Sequence, residues 1–242
     1  MNPRFRIGVL HLLIFPTKMA NLQLVVTADG SKTIFNPEVG ENYHSRHGAL
    51  QESRHVFLKS GLAFFLERTR KTTADVLEVG FGTGLNFLLS ADFCTANKNR
   101  LNYTGIEAYP LGSDMIEATG YSAVVDASLY TTFLEQYPVS LQETVNLNEF
   151  CTLEIFADKL ENFTTEKMFD VIFFDAFAAV HQPEMWTTES IKRCCDYLRP
   201  GGIFVTYAIT GNLKRCMKSL GFTIEKAPGA PGKREMLRAI KT

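Results

Sequence analysis

A glycine-rich heptapeptide constrains this chain more than any other feature of its sequence. The heptapeptide is Glu78-Val79-Gly80-Phe81-Gly82-Thr83-Gly84, and it lies between the short run Asp75-Val76-Leu77 and a helical stretch, Leu85 to Ser90. A strand that enters a helix through a glycine turn exposes backbone N–H groups and lets a ligand approach the main chain closely. The pattern predicts a loop that binds a nucleoside cofactor, although an ordinary tight turn would use the same residues.

The spacing of the glycines decides between two classes of cofactor. A dinucleotide fingerprint, Gly-x-Gly-x-x-Gly, needs glycine or alanine three residues after the second glycine, and Leu85 occupies that position. The remaining pattern, acidic-x-Gly-x-Gly-x-Gly, resembles the first motif of the Rossmann-like methyltransferases that use S-adenosylmethionine (SAM). Because SAM has no pyrophosphate, the Glu78 carboxylate beside the loop would not repel it.

Two further carboxylates follow predicted strands. Asn102 to Ala108 reads as the second strand, and Glu107 near its end lies 23 residues after the last loop glycine, where nucleotide folds place an acid that binds ribose. The alternative for Glu107 is a solvated glutamate. Asp158 follows a third strand, Cys151 to Ala157, and it either accepts from the adenine amino group or caps the helix Lys159 to Phe163.

Alternating strands and helices predict the fold class. Phe169 to Asp175 reads as an apolar strand that is buried on both faces, with helices later at Trp186 to Leu198 and Asn212 to Leu220. The last strands are predicted at Ile203 to Tyr207, Phe222 to Ala227 and Glu235 to Ile240. We therefore predict an α/β fold of the Rossmann-like class I SAM-dependent methyltransferase type, with a seven-stranded, mostly parallel sheet and an antiparallel closing strand.

Asp175 ends the fourth strand, at the edge where open α/β sheets bind ligands. An attacking amine is largely protonated at neutral pH, because an alkylammonium pKa is about 10.4. Asp175 would hydrogen-bond such an amine, orient it and receive its proton, unless it is only an acidic turn residue. Phe177 and Trp186 follow in the next loop and predict a pocket that stacks on a nucleobase, with core packing as the alternative.

The composition favours one globular domain. The chain has 242 residues, 45% of them hydrophobic, and no run reaches the ~20 apolar residues of a membrane span. Five cysteines without metal-ligand spacing predict reduced thiols in a cytoplasmic protein and no metal site. Residues 19–242 are predicted to form the domain, with an N-terminal segment at 19–72. Residues 1–18 are predicted to be a disordered extension or a wrongly assigned start before Met19, with a cleaved signal as the alternative.

The net charge of −1 conceals an uneven distribution. Lys192 to Thr242 contains eleven Lys or Arg and three acidic residues, a balance of +8, so the rest of the chain carries −9. A basic C-terminal region predicts a polyanionic substrate that meets one face, although solvated helix faces would give the same pattern.

Several blocks together resemble the methyltransferase domain of the MnmC-type tRNA-modification enzymes. The resemblance extends roughly from Asn21 to the C-terminus. The blocks are Tyr43-His44-Ser45-Arg46-His47-Gly48-Ala49-Leu50-Gln51-Glu52-Ser53, Asp175-Ala176-Phe177-Ala178, Pro183-Glu184-Met185-Trp186, Arg199-Pro200-Gly201-Gly202 and Pro231-Gly232-Lys233-Arg234-Glu235-Met236-Leu237.

The resemblance implies SAM-dependent methylation of the aminomethyl nitrogen on a wobble uridine of tRNA, giving 5-methylaminomethyl-2-thiouridine. It places Asp175 at the amine. Some members carry a fused FAD-dependent oxidoreductase domain, whereas this sequence ends at Thr242 and resembles a stand-alone form that other modification enzymes supply with substrate. The residues implied to hold SAM are Glu78, Gly80, Phe81, Gly82, Thr83, Gly84, Glu107 and Asp158, with Tyr43 and Glu52 closing over it. The residues implied to contact the phosphates of the tRNA anticodon arm are Lys214, Arg215, Lys233 and Arg234.

Three other functions agree with the same sequence. One is a methyltransferase of a small amine or a protein, and another is a nicotinamide-dependent oxidoreductase, which Leu85 disfavours. The third is an RNA-binding module without catalysis.

Overall fold

The chain forms two sheets that are separate from each other. The computed structural model describes residues 21–230 and 232–242. The predicted extension at 1–18 and the alternative start at Met19 lie outside the described residues. In the described part of the chain, no helix has the length and apolar character needed to cross a membrane.

The N-terminal segment contains the smaller sheet and a long helix. Strands β1 (Gln23–Val26), β2 (Lys32–Asn36) and β3 (Glu41–Asn42) pair antiparallel. A continuous helix follows, made of α1 (Ala49–Glu52), a π-helical segment (Ser53–Ala63) and α2 (Phe64–Thr69). Neither the small sheet nor the π-helical segment was predicted. Gly61 permits the close contact of this helix with the larger sheet, because a Cβ there would lie 2.8 Å from the Phe173 ring.

The larger sheet has eight strands in the order β10-β11-β9-β8-β4-β5-β7-β6. Their bounds are β4 (Thr73–Val79), β5 (Arg100–Ile106), β6 (Val145–Asn146), β7 (Cys151–Phe156), β8 (Phe169–Phe174), β9 (Leu198–Thr206), β10 (Phe222–Pro228) and β11 (Glu235–Lys241). The predicted mostly parallel sheet is confirmed, and β11 is the antiparallel closing strand because it pairs antiparallel with both β9 and β10. The eighth strand is the two-residue β6, which pairs antiparallel with β7 at one edge.

Helices cover both faces of this sheet. They are α3 (Leu85–Ala96), α4 (Ser113–Ala118), α5 (Ala127–Ser140), α6 (Thr188–Asp196) and α7 (Gly211–Ser219). The helix predicted from Trp186 begins later, because Thr187 accepts from the Ser190 N–H and caps α6. The helix predicted at 159–163 is a single 3-10 turn, Leu160–Asn162.

Strand alternation separates two apolar cores. In β8, Val171 and Phe173 face the core beneath the π-helical segment and α3, whereas Ile172 and Phe174 face the core beneath α6 and α7. The order of strands reverses between β4 and β8, since β5 continues to one side and β9 to the other. The crevice beyond the carboxyl ends of β4 and β8 is therefore where this topology binds ligands.

Candidate functional site

A cavity of about 1530 Å³ opens at that crevice. Its wall contains the backbone of the glycine loop and the residues that follow β5 and β8, and the N-terminal segment closes one side. The predicted site residues in the wall are Tyr43, Glu52, Gly80, Phe81, Gly82, Glu107, Asp175, Phe177 and Lys233. Residues from five separate parts of the sequence thus meet at one place.

The glycine loop is packed too closely for side chains at all three of its glycine positions. Gly80, Gly82 and Gly84 all have positive φ, of 89°, 53° and 76°. A Cβ on Gly80 would lie 2.5 Å from the carbonyl oxygen of Asp175, and one on Gly82 would lie 2.9 Å from the Tyr43 ring. The loop therefore needs glycine both for its backbone conformation and for contact with the neighbouring loops.

The predicted exposure of backbone N–H groups in this loop is largely wrong. Gly80 and Phe81 donate to the carbonyl oxygen of Ile106, and Gly84 donates to Phe81. Gly82 donates to a carboxylate oxygen of Glu107 over 2.8 Å. Since these four donors already have acceptors in the protein, the loop is not a phosphate cradle, which agrees with a cofactor that has no phosphate.

Glu107 is held at the end of β5 with its carboxylate in the cavity wall. Its two oxygens accept from the N–H groups of Gly82 and Tyr109, over 2.8 and 3.0 Å. Burial raises the pKa of Glu107, and the backbone donors oppose that rise. The orientation is therefore fixed by the loop and by the following turn, and the remaining lone pairs would accept from ligand hydroxyls.

Glu78 lies behind the glycine loop. It is not one of the described residues that line the cavity. It faces α3, where its oxygens accept from the Asn86 amide and the Tyr103 hydroxyl, each over 2.8 Å. Burial, followed by the proximity of Asp175, raises the pKa of Glu78 well above its ordinary value. Its contact with SAM stays a prediction.

Asn86 joins Glu78 to Asp175. Its side-chain nitrogen donates to both carboxyl groups over 2.8 Å, and its side-chain oxygen is buried without a hydrogen-bond partner in the described residues. The amide thus holds Asp175 in place through its two donors. Asp175 itself lies in the cavity wall, and its own N–H donates to the carbonyl of Val79 in β4.

The environment of Asp175 disfavours its ionised form. Burial and then the nearby Glu52 raise the pKa of Asp175 to about 8, against the opposing effects of the Asn86 hydrogen bond and the Lys233 charge. Glu41 adds to the rise. A carboxyl group with this pKa exchanges protons near neutral pH, as a group that accepts a proton from an amine must.

The N-terminal segment contacts the loop that follows β8. Glu41 accepts from the Ala178 N–H over 2.8 Å, and the rings of Tyr43 and Phe177 meet edge to face at 5.2 Å. Burial raises the pKa of the Tyr43 hydroxyl far above its ordinary value. These contacts place the N-terminal segment against one side of the cavity beside the glycine loop, and its predicted closure over SAM stays a prediction.

Phe177 and Trp186 do not form a pair of rings around the cavity. Phe177 lines it, whereas Trp186 packs at 5.2 Å against Phe174, and its indole N–H donates to the Phe177 carbonyl over 2.7 Å. The structure supports the alternative interpretation of Trp186 as packing. Its position supports the Phe177 loop from behind.

The other predicted cofactor residues lie away from the wall. Thr83 is buried with its hydroxyl 3.1 Å from that of Tyr121, and Phe133 packs where a Cβ on Gly84 would lie. Asp158 is exposed and accepts from the Lys159 N–H and the Asn162 amide, over 2.7 and 2.9 Å. The N-cap of the 3-10 turn is Lys159, without a side-chain cap hydrogen bond, so the capping alternative for Asp158 is wrong, and its contact with adenine stays a prediction.

Many of the C-terminal basic residues have partners within the protein. Of the eleven in Lys192 to Thr242, the seven with carboxylate or carbonyl partners among the described residues are Lys192, Arg199, Arg215, Lys226, Lys233, Arg238 and Lys241. Lys233 lies in the cavity wall and is ion-paired with Glu52 at 2.7 Å, which disfavours its predicted contact with phosphate. In the described ranges no ion pair holds Lys214, Arg215 or Arg234, and none of the three lines the cavity.

Sequence reasoning missed three polar residues of this site. Asn86 lies in the first turn of α3, Glu41 in β3, and Tyr207 just after β9. The Tyr207 hydroxyl donates to the Ala176 carbonyl over 2.9 Å and so fixes the residue that follows Asp175. Asn86 directly follows the glycine motif and Leu85, so its position offered a signal, whereas Glu41 and Tyr207 offered none.

The charges in the wall fit a cationic ligand. Ten acidic and five basic side chains line the cavity. The acids nearest the glycine loop and Asp175 include Glu41, Glu52 and Glu107, and Lys233 is already paired. Carboxylates favour a nearby positive charge, such as the sulfonium of SAM, and would repel a pyrophosphate.

Comparisons with known proteins agree with this geometry. A family model described as S-adenosyl-L-methionine-dependent methyltransferase matches residues 126–242. The chain is 30% identical to the tRNA 5-methylaminomethyl-2-thiouridine biosynthesis bifunctional protein MnmC of Paraburkholderia xenovorans, over 85% of this chain and 33% of that protein. It is 34% identical to the protein of the same name from Chromohalobacter salexigens, over 82% of this chain and 30% of that protein.

A solved structure extends the comparison to the fold. The crystal structure of MNMC2 from Aquifex aeolicus superposes with a TM-score of 0.71 at 21% identity, covering 92% of this chain and 71% of that one. The chain spans about a third of the length of the two MnmC proteins it matches. The predicted fold, cofactor and resemblance to MnmC-type enzymes are confirmed, and the nicotinamide-dependent alternative is disfavoured. Residues 126–242 are similar to the S-adenosyl-L-methionine-dependent methyltransferases, and most of the chain is similar in sequence to the MnmC proteins.

Proposed function

We propose that this protein methylates the aminomethyl nitrogen on a wobble uridine of tRNA, forming 5-methylaminomethyl-2-thiouridine. The observation that carries the proposal is the position of Asp175, in the cavity wall beside the glycine loop and fixed by Asn86. The names of the two MnmC relatives support the choice of tRNA as substrate. Such an enzyme would act in the cytoplasm on tRNA that another enzyme has already given an aminomethyl group.

Each wall residue would have a definite task in this reaction. When bound, SAM supplies an electrophilic methyl group. Glu107, held by Gly82 and Tyr109, would accept from the ribose hydroxyls, and the backbone of Gly80 and Gly82 would lie beside the cofactor. Asp175 would hold the amine in line for attack and receive the proton that it loses.

The distribution of charge suggests how RNA would approach. Phosphates would be repelled by the ten acidic side chains of the cavity wall. We therefore place the RNA backbone outside the cavity, against Lys214 and Arg215 on α7, with the modified base reaching in toward Phe177. Contacts to phosphate would position the RNA without reading its sequence.

The test is methyl transfer from labelled SAM into bulk tRNA from cells that lack this enzyme, followed by nucleoside analysis. Label in 5-methylaminomethyl-2-thiouridine is the expected result. Asp175→Asn serves as the catalytic control because it keeps the size of the side chain. Absence of label from tRNA, with SAM binding intact, would contradict the proposed substrate.

The acidic cavity favours one second candidate, a methyltransferase of a small amine or a protein. Ten acids in the wall would attract a cationic amine with no RNA attached. The same assay, run with free aminomethyl-uridine nucleoside and with lysine-containing peptides, distinguishes the two functions. Efficient transfer to these, and none to tRNA, would favour the second candidate.

A further inference from the structure

Lys233 occupies an unusual position for a residue of a basic C-terminal segment. Its ammonium lies 2.7 Å from an oxygen of Glu52 and 4.1 Å from the centre of the Tyr207 ring. The side chain of Lys233 is 32% exposed and that of Glu52 only 8% exposed. A carboxylate this deeply buried needs a charged partner, and the ring face adds a cation–π contact.

Both partners of Lys233 are themselves fixed to the catalytic region. The other oxygen of Glu52 accepts from the Ser45 N–H, and the Tyr207 hydroxyl donates to the Ala176 carbonyl beside Asp175. The ammonium of Lys233 therefore connects the N-terminal segment to the loop that carries Asp175. A lysine that contacts phosphate would instead need its ammonium at the outer surface.

The groups that face Asp175 are mostly acidic or neutral. Glu52 comes from α1, Glu41 from β3 and Glu78 from β4, the last through the shared Asn86 amide. The aromatic hydroxyls of Tyr43 and Tyr207, the carboxyl of Glu107 and the imidazole of His181 also line the same cavity. Lys233 is the cation that acts against Glu52 and Glu41 at Asp175.

We propose that Lys233 is a positioning residue that neutralises Glu52 and so keeps Asp175 available in its ionised form for the incoming amine. This role rests on the proposed function, and it replaces the predicted contact of Lys233 with tRNA phosphate. Without Lys233, Glu52 would be a buried carboxylate with no ion-pair partner, close to a second carboxylate. Asp175 would then lose the opposing cation while the negative charge of Glu52 remained, so it would hold its proton more tightly, and a protonated Asp175 has no capacity to accept one from the amine.

The test measures the protonation of Asp175 in the protein without ligands. Protein labelled with ¹³C at aspartate carboxyl groups is titrated by NMR, and Asp175→Asn identifies the signal. Lys233→Met should move the titration midpoint above its wild-type value, which is expected at about 8. Glu52→Gln should move it below that value, because it removes a negative neighbour and leaves the cation.

The control variant is Lys226→Met. It removes the same charge from an exposed ion pair with Glu235, at 3.7 Å, which lies outside the cavity wall. This variant should leave the Asp175 midpoint unchanged, and Lys233→Arg should stay close to wild type. In the methyl-transfer assay, the low-pH limb of kcat/KM should shift with the NMR midpoint in each variant.

Two results would overturn the proposal. One is an Asp175 titration midpoint that stays unchanged in folded Lys233→Met. An unchanged midpoint in Glu52→Gln would have the same meaning, and this variant does not leave a buried carboxylate unpaired. The other is a Lys233→Met protein with normal titration but weaker and less salt-dependent tRNA binding, which would make Lys233 a phosphate contact. If wild type transferred no methyl group to tRNA, the proposed function would fail while the titration still decided the role of Lys233.

Discussion

At the scale of single residues, the site depends on how one carboxyl group is surrounded. Asp175 directly follows a fully buried strand and is fixed by Asn86, with Glu52 and Glu41 near it and Lys233 opposing them. These neighbours make its proton exchangeable near neutral pH. An aspartate in water, with a pKa of about 3.9, would be a much weaker proton acceptor.

The first prediction concerns the pH dependence of methyl transfer. Since Asp175 must be ionised to accept a proton and its pKa is raised to about 8, kcat/KM should rise with pH through that value and level off above it. Asp175→Asn should lower the rate by about 10²–10⁴-fold and abolish this limb, with little change in SAM affinity. Steady-state kinetics from pH 6 to 9 and SAM titration measure both. If the pH-dependent rise of kcat/KM persisted in Asp175→Asn, that rise would have to come from another titrating group.

The second prediction concerns stability. The pKa of Asp175 is higher in the folded protein than in the unfolded chain, so the folded state binds more protons between about pH 4 and pH 8. The contribution of this group to stability is therefore greatest at low pH and falls as pH rises through that window. Asp175→Asn removes this pH-dependent loss of stability. As pH rises through the window, the variant should therefore gain stability relative to wild type, by at most about 1.4 kcal/mol per pH unit.

Chemical denaturation of both proteins at pH 5 and pH 8 measures this difference. Glu78 and Glu107, whose pKa values are also raised, are present in both proteins and largely cancel in the comparison. A difference in unfolding free energy that stays constant between the two pH values would show that Asp175 has an ordinary pKa.

At the scale of elements, the glycine loop and the β8 loop form one unit. Gly80 lies against the Asp175 carbonyl, and the Asp175 N–H donates back to Val79. Neither loop therefore has a conformation independent of the other. A change in the glycine loop should therefore shift the position of the Asp175 carboxyl.

The third prediction separates this contact from simple backbone strain. Gly80 and Gly201 have similar positive φ values, of 89° and 77°, but a Cβ on Gly201 would meet nothing within 4 Å. Each substitution by alanine should cost about 1–2 kcal/mol for its backbone conformation. Gly80→Ala should cost more and also reduce methyl transfer, whereas Gly201→Ala should keep full activity. Equal losses of stability and activity in both would argue against the proposed coupling of the loops.

At the scale of the whole molecule, acidic and basic regions are separated. The cavity wall is mainly acidic, and α7 carries Lys214, Arg215 and Lys218 on the surface. Lys214 and Lys218 are four residues apart and so lie on the same side of the helix. This arrangement would draw an RNA backbone to α7 while keeping it out of the cavity.

The fourth prediction tests that separation. Lys214→Gln combined with Lys218→Gln should weaken tRNA binding and lower the salt slope of log Kd by about one for each phosphate that is no longer neutralised. SAM affinity should not change. Lys167→Gln, which removes a charge at the opposite edge of the sheet where Lys167 pairs with Glu154, is the matched control. A comparable weakening in the control would mean that binding follows net charge alone.

The sequence by itself determined the features that depend on neighbours along the chain. The glycine spacing and Leu85 predicted the class of cofactor, the alternation of strands and helices predicted the sheet, and the apolar strand before Asp175 placed that carboxyl at its edge. These features rest on turn chemistry and on side-chain period, which act over a few residues. Strands β3 and β6, of two residues each, carried too short a pattern to be predicted.

Only the tertiary structure decided which distant residues meet. Asn86 reaches Asp175 across 89 residues, and Lys233 reaches Glu52 across 181 residues. Trp186 packs behind the loop, and Lys233 lies in the cavity, because strand register and helix packing bring their partners within reach. No local pattern encodes such pairings, since a carboxylate or an ammonium has the same sequence signature whether its partner is a phosphate, a cofactor or another side chain.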